Sequence, residues 1–260
     1  MLFRSAIGRH LASGGGGHPR AVQGQACAAL SGGGRPFTGD LPDGAKPVPA
    51  WESGYLRQIY PEALNAAAED FDIRIYLSHS VGSFIAVGAP LMHIEQMGDD
   101  PDWDAMMQEF KEIIILGDLR EYEQDPRFGL IVMSEIASKA LSPGVNDPGT
   151  AINVINRIGR ILSDYTDETA TEPETLLAHL NVAPLDPVDL LRDGFGAISR
   201  NGADTLEVQQ RLQQTLSGLM RHPDEGLSRA ARDLAKQELA RGLEALTFEP
   251  DRDALIASAD

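Results

Sequence analysis

The segment from Ser142 to Gly149, Ser-Pro-Gly-Val-Asn-Asp-Pro-Gly, constrains the fold more than any other part of the sequence. It holds two prolines, two glycines and an Asn-Asp pair between two segments with helical apolar periodicity. Proline does not continue a helix through its interior, and glycine and asparagine accept backbone conformations that other residues resist. The segment therefore predicts a helix, a heavily specified loop and a second helix.

Charge and cysteine content exclude several classes of function. The formal net charge is −17, and residues 1–47 hold five Lys or Arg against two Asp, so the acidic excess lies in the rest of the chain. Such a surface repels phosphate backbones, and we expect no nucleic-acid partner. The chain has one cysteine, Cys27, and no histidine pair with the spacing of a helical zinc site. We therefore expect no metal and no cofactor.

The sequence divides into three regions. Residues 1–47 contain eleven of the 26 glycines, a composition typical of a disordered or non-native leader. Residues 48–97 predict a small β-rich module with one short helix, which begins at Pro61. Residues 98–260 predict a mostly α-helical bundle. The expected fold class is therefore α+β.

Two kinds of periodicity support this division. Ile73, Ile75 and Leu77 alternate with Arg74 and Tyr76, which is the pattern of a half-buried strand. Beyond residue 102 the pattern predicts six helices. Two of them show one apolar face each, formed by Leu191, Phe195 and Ile198 and by Leu206, Leu212, Leu216 and Leu219. The six predicted helices are Trp103–Arg120, Phe128–Leu141, Pro148–Tyr165, Pro187–Arg200, Asp204–Met220 and Asp224–Leu246.

The 142–150 loop is the best candidate for a functional site. It offers hydroxyl, amide and carboxylate groups, and its glycines allow a ligand to approach the backbone closely. A structural interpretation is the alternative, in which Asp147 caps the second helix and Pro148 is the first residue of that helix. Both interpretations rest on the same residues, which are Ser142, Pro143, Gly144, Asn146, Asp147, Pro148 and Thr150.

Two charged residues, Asp125 and Arg127, precede the first of the two helices. We expect them at the end of that helix opposite the loop, where they support the site without having to share it. The alternative is a buried network of arginine and aspartate, with Asp118 and Arg120 as further members, that joins two helix ends and fixes their geometry.

Several motifs follow one another along the chain: Ser53-Gly-Tyr, Gly82-Ser-Phe-Ile-Ala-Val-Gly-Ala-Pro-Leu, Gln124-Asp-Pro-Arg-Phe-Gly, Ala140-Leu-Ser-Pro-Gly-Val-Asn-Asp-Pro-Gly-Thr-Ala and Asp193-Gly-Phe. With these motifs the chain resembles a family of predicted bacterial membrane proteins, domain of unknown function 2254, from about residue 50 onward. Members carry transmembrane helices upstream of this region. The resemblance implies a soluble C-terminal portion, on the cytoplasmic side of the bacterial inner membrane. Its implied partner is the membrane-spanning half of the same protein, and a homo-oligomer is a further expectation.

The chain departs from the family pattern in two places. Members usually have Phe or another bulky residue where this chain has Gly149, and the glycine-rich leader replaces the hydrophobic helices that members carry upstream. A gene model truncated at its N terminus is the expected reason for the second difference. The β-rich module is also similar to the hammerhead folds of biotinyl and lipoyl carriers, through Gly82-x-Phe-x-x-x-Gly-x-Pro-Leu. The chain lacks their Met-Lys carrier motif, so only the shape is shared.

Three functional hypotheses follow. The first is a non-enzymatic extramembrane domain for regulation or assembly, which gates transport or binds an ion or small ligand at the loop. The second is an enzyme of unknown reaction, with Asp147 or Asp125 as general base and Ser142 or Arg127 orienting the substrate. It requires one pocket that joins these groups. The third is an oligomerisation scaffold, favoured if the exposed face of the C-terminal helices is apolar.

Overall fold

The computed structural model describes residues 34–37, 39–165 and 177–259. Within these ranges the chain forms eight helices and eight strands, which confirms the α+β class. The described residues belong to two compact units. We call residues 34–128 and 177–185 the sheet unit, and residues 129–165 and 186–259 the helical unit.

Two sheets form the sheet unit. Their strands are β1 (Gly34–Pro36), β2 (Lys46–Pro49), β3 (Gly54–Ile59), β4 (Ile73–Leu77), β5 (Phe84–Ile85), β6 (Pro90–Gln96), β7 (Ile114–Gly117) and β8 (Leu177–Val182). The five-stranded sheet has the order β1-β8-β4-β6-β2, in which β8 runs parallel to β1 and to β4. The other pairs of this sheet are antiparallel. The three-stranded sheet has the order β5-β3-β7, with antiparallel pairs.

Two helices, α1 (Pro61–Asp70) and α2 (Trp103–Ile113), complete the sheet unit. Proline is the first residue of α1, where a helix tolerates it, as the sequence predicts. Asp102 caps α2, because its Oδ1 accepts hydrogen bonds from two backbone N–H groups at 3.1 Å. Apolar side chains from the helices and strands form one core, which includes Leu56, Ile59, Leu64, Ile73, Ile75, Ile94, Met106 and Phe110.

The helix predicted from Trp103 to Arg120 is wrong beyond Ile113, because the chain continues there as β7. Three consecutive isoleucines, residues 113–115, favour an extended backbone, since β-branched side chains lose rotamer freedom in a helix. β7 pairs with β3, and its Ile114 and Leu116 are buried. Pairing with a strand that is distant in sequence decided the structure of this segment, and local periodicity did not show it.

The sheet unit extends well beyond the predicted module at 48–97. β7 and β8 complete its two sheets, although both lie in the region that the sequence assigned to the helical bundle. β1 and the first half of β2 lie within residues 1–47, so the prediction of an unstructured leader is corrected from Gly34 onward. Residues 1–33, with most of the glycine-rich runs, lie outside the described residues.

Six helices belong to the helical unit. The first of them begins shortly before the boundary of the unit, and the other five lie entirely within it. The six helices are α3 (Pro126–Ala140), α4 (Pro148–Ser163), α5 (Pro187–Asn201), α6 (Leu206–Leu219), α7 (Glu225–Ala245) and α8 (Glu249–Ala259). Leu191, Phe195 and Ile198 are buried, which confirms the predicted inward face of α5. The sequence did not predict α8, because Leu255 is its one buried residue and a single position gives no periodicity.

Candidate functional site

The 142–150 loop joins α3 to α4 and is closed by its own backbone. The N–H groups of Val145 and Asn146 both donate to the carbonyl of Ser142, at 3.0 and 2.9 Å. The N–H of Asp147 donates to the carbonyl of Ala140 at 2.8 Å. Asn146 has a φ of +50°, a left-handed conformation that asparagine accepts more readily than most residues. Hydrogen bonds within the chain therefore fix the conformation of the loop.

Asp147 is the N-cap of α4, as the structural interpretation predicts. Its Oδ1 accepts a hydrogen bond from the Thr150 N–H at 3.1 Å, and its Oδ2 accepts one from the Thr150 hydroxyl at 2.6 Å. These bonds, above all the one from the hydroxyl, hold the pKa of Asp147 below its usual value. Pro148 follows as the first helical residue. Both carboxylate oxygens belong to the cap, and the lowered pKa makes Asp147 a weak base.

The rest of the loop is either bonded within the chain or directed outward. The Ser142 hydroxyl donates to the carbonyl of Lys139 at 2.7 Å. Residues 143–146 are exposed, and a side chain added at Gly144 would meet no atom within 4 Å. Val145 is 54% exposed although it is apolar. The loop therefore presents an apolar tip rather than a set of free reactive groups.

Asp125 lies in the sheet unit, directly before α3, and its side chain is 1% exposed. Arg120 donates to its Oδ2 through Nε at 2.7 Å and through Nη2 at 2.6 Å. Oδ1 accepts the N–H of Phe128 at 3.0 Å, so Asp125 also caps the first turn of α3. Burial raises the pKa of Asp125 more than these partners lower it. This pair is the part of the predicted arginine–aspartate network that the structure contains. Asp118 is exposed, and Arg120 follows strand β7 and not a helix, so the network does not join two helix ends.

Two neighbouring residues enclose the pair. Gly82 has a φ of +92°, and a Cβ at this position would collide with the Asp125 carboxylate and the Arg120 guanidinium. The Gln124 side chain pairs with the backbone of Ile59 in β3, accepting its N–H at 3.1 Å and donating to its carbonyl at 3.2 Å. The Arg120–Asp125 pair is thus packed inside the sheet unit, which is typical of a pair with a structural role.

The two predicted groups of site residues stay apart. Asp125 and the partly buried Arg127 stand at the start of α3, whose 15 residues extend about 22 Å along the helix axis. The 142–150 loop follows the other end of this helix. Asp125 is buried and Asp147 is exposed, so the two carboxylates do not form the single constellation that the enzyme hypothesis requires. Within the described ranges, no three side chains of His, Cys, Asp or Glu converge as a metal site would require.

Comparison with protein families identifies the chain at the level of the family. The family model described as "Predicted membrane protein (DUF2254)" matches residues 21–218, which is most of the sequence. The chain belongs to the DUF2254 family. This confirms the resemblance that the ordered motifs indicate. The match begins at residue 21, so the family pattern includes part of the segment predicted as a leader.

Curated relatives of this DUF2254 chain include uncharacterized proteins of Mycobacterium bovis and Mycobacterium tuberculosis, each 32% identical to it over 124 residues. The alignments cover 47% of the chain and 24% of each relative. The chain therefore spans about a quarter of the length of the curated relatives it matches. No solved structure matches it. None of the helices in the described ranges combines the length and the apolar composition that a bilayer crossing requires.

The sequence analysis missed a buried polar layer in the helical unit of this DUF2254 chain. Ser199, Gln209, Gln213 and Glu238 are each at most 2% exposed. Glu238 Oε2 accepts hydrogen bonds from the Ser199 hydroxyl and from Nε of Arg241, the latter at 2.6 Å. The signal was present in the sequence, because Glu238 continues an inward stripe of alanines along α7. A charged residue in such a stripe indicates a buried partner.

The glutamines of this layer bind the backbone of neighbouring helices. Nε2 of Gln209 donates to the carbonyls of Ser199 and Gly202, at 3.2 and 3.0 Å. Nε2 of Gln213 donates to the carbonyl of Ala235 at 3.1 Å. The layer thus connects α5, α6 and α7 by buried hydrogen bonds.

Proposed function

We propose that the chain forms an extramembrane domain for assembly and regulation, whose 142–150 loop docks on the membrane-embedded part of the same protein. One observation carries this proposal. The loop bonds the Ser142 hydroxyl, the Asp147 carboxylate and part of its backbone within the chain, and it still presents Val145, 54% exposed, at its tip. A preorganised apolar tip suits a docking contact, because little conformational entropy is lost when it is covered.

The family supports the choice of partner. It is described as a family of predicted membrane proteins, and the curated relatives are about four times as long as the segment they share with this chain. The acidic composition beyond residue 47 opposes direct binding to anionic headgroups, so a protein contact is the better attachment. Through this contact the domain gates the transport or channel activity of the membrane part.

The location is part of the proposal. We place the domain on the cytoplasmic side of the bacterial inner membrane. Trypsin added to intact spheroplasts should then leave residues 34–259 undigested, and digestion should follow when the membrane is opened. Digestion in intact spheroplasts would move the domain to the other side.

Neither alternative hypothesis gains an observation of its own. The enzyme hypothesis needs Asp125 and Asp147 in one constellation, and they lie at opposite ends of α3. The scaffold hypothesis needs an apolar outer face on the C-terminal helices. The exposed face of α7 instead carries charged residues, which include Arg229, Arg232, Asp233 and Lys236.

Site-specific photo-cross-linking in the gene product expressed at full length in bacterial membranes tests the docking role. A cross-linking amino acid replaces Val145, and in a control it replaces Val87, which is 62% exposed in the sheet unit. We expect position 145 to cross-link to membrane-embedded segments of the same protein, and position 87 to give no such product. Products that join only two copies of this domain would favour the scaffold. Equal yields at both positions would overturn the proposal.

A further inference from the structure

A cleft of about 270 Å³ opens between α5 and α7 in the helical unit. Small residues on the two facing helices, Gly196 and Ala230, leave this space unfilled. The buried residues Leu191 and Glu238 form its base. Its volume is near the lower end of the range for small-molecule sites, about 300 Å³. The cleft therefore suits a ligand of a few heavy atoms.

Two of the four charged side chains that line the cleft have partners within the chain. Arg192 on α5 donates to Asp189, one turn earlier, at 3.0 Å. Glu238 on α7 accepts the hydrogen bond of Arg241 at 2.6 Å. These charges are compensated before any ligand arrives, so they do not determine which charge a ligand carries.

The other two charged residues, Arg200 on α5 and Asp233 on α7, have no such partner in the part of the chain that the structure describes. Neither forms an ion pair or a hydrogen bond through its side chain with another residue of the described ranges. Nη1 of Arg200 lies 3.6 Å from the position that a Cβ on Gly196 would take, so the guanidinium lies beside Gly196 in the cleft. One wall thus offers a free cation and the other a free carboxylate.

We propose that this cleft binds a small zwitterion of the amino acid class, with the ligand carboxylate on Arg200 and the ligand ammonium on Asp233. A simple anion is attracted by Arg200 and repelled by Asp233, and a simple cation meets the reverse, whereas a zwitterion satisfies both. The planar guanidinium also matches a carboxylate with two parallel hydrogen bonds. The site is separate from the 142–150 loop, and the inference does not depend on the docking role.

Isothermal titration of the 260-residue chain tests the ligand class. The probes are glycine, β-alanine, 4-aminobutyrate and 6-aminohexanoate, which carry the same two charges at increasing separation. Butyrate and butylamine carry one charge each and serve as controls. We expect saturable binding of at least one zwitterion and none of the two controls. Absence of binding for every zwitterion, or equal binding of butyrate, would overturn the proposal.

Substitutions then locate the site. Arg200→Gln and Asp233→Asn should each weaken binding of the best zwitterion about tenfold, the change that loss of about 1.4 kcal/mol produces. Arg232→Gln is the matched control, because Arg232 is exposed on α7 but does not line the cleft. It should leave the Kd unchanged. Both test residues are exposed, so the melting temperature without ligand should not move. Binding that survives both substitutions would contradict the assignment.

Discussion

Arg120 directs two hydrogen bonds at a single oxygen, Oδ2, of the buried Asp125 carboxylate. The second oxygen of this carboxylate caps α3 through the Phe128 N–H. The Asp125 side chain therefore forms an ion pair and caps a helix at the same time. The stability of the protein is therefore sensitive to the loss of either Arg120 or Asp125, since a buried charge without its partner destabilises the fold by more than the intact pair stabilises it.

Replacing Asp125 by Ala should lower the free energy of unfolding by about 3–5 kcal/mol, because it leaves Arg120 unpaired at 18% side-chain exposure. Urea denaturation measures the loss. Arg120→Ala and the double variant complete a thermodynamic cycle. The double variant should lose clearly less than the sum of the two single variants. Additive losses would mean that the two side chains act independently.

Gly82 and Gly88 provide a matched pair of positions for testing how tightly the Arg120–Asp125 pair is packed. Both have positive φ, +92° and +80°, so alanine at either position meets the same backbone strain of about 1–2 kcal/mol. A Cβ at Gly88 meets no atom within 4 Å, whereas one at Gly82 collides with Asp125 and Arg120. Gly82→Ala should therefore destabilise the protein by about 3–5 kcal/mol, as breaking a buried pair does. Equal losses of stability in the Gly82 and Gly88 variants, measured by thermal denaturation, would show that Asp125 and Arg120 move to accommodate the added methyl group.

Substitution of Gln124 should weaken the structure of β3 locally. Gln124→Leu leaves the N–H and the carbonyl of Ile59 without their partner, and an unsatisfied buried group costs about 1–3 kcal/mol. The Ile59 amide should then exchange with deuterium faster than in the parent chain. Gln58→Leu is the control, because Gln58 lies on the same strand and its side chain has no hydrogen bond in the described structure. A similar rate of Ile59 exchange in both variants would remove this role from Gln124.

The parts of the fold that were predictable are those with local causes. The cap at Asp147 and the start of α4 at Pro148 follow from two adjacent residues, and α4 ends within two residues of its predicted end. β7 and β8 depend on strands distant in sequence, so neither was predictable from periodicity. The candidate site follows the same rule. The Asp147 cap was predictable from adjacent residues, whereas the buried layer around Glu238 forms only when α5 and α7 pack together.

The Thr150 hydroxyl should control the titration of Asp147. Its hydrogen bond is the largest cause of the lowered pKa of Asp147, so Thr150→Val should raise this pKa toward the ordinary aspartate value. Thr150→Ser keeps the hydroxyl and should leave the pKa low. Carbon-13 NMR of the Asp147 carboxyl during a pH titration measures both. An equal pKa in the two variants would assign the shift to the backbone N–H alone.

The same group sets a pH dependence of stability. Because the folded pKa of Asp147 is lowered, its contribution is complete above the unfolded pKa and disappears as pH falls through the folded value. Thr150→Val should therefore lower the melting temperature at neutral pH, and its difference from the parent chain should shrink in acid. A difference that is constant with pH would indicate lost packing instead of a lost cap.

Asn146 tests whether the conformation of the 142–150 loop or the Asn146 amide group matters for stability. Its φ of +50° is accessible to glycine and unfavourable for a β-branched residue. Asn146→Gly should therefore leave stability within a few tenths of a kcal/mol, and Asn146→Val should lower it by about 1–2 kcal/mol. Urea denaturation distinguishes the two. If Gly and Val were equally damaging, the side-chain amide would carry the effect, and the loop tip would owe its rigidity to a contact of that amide rather than to backbone geometry.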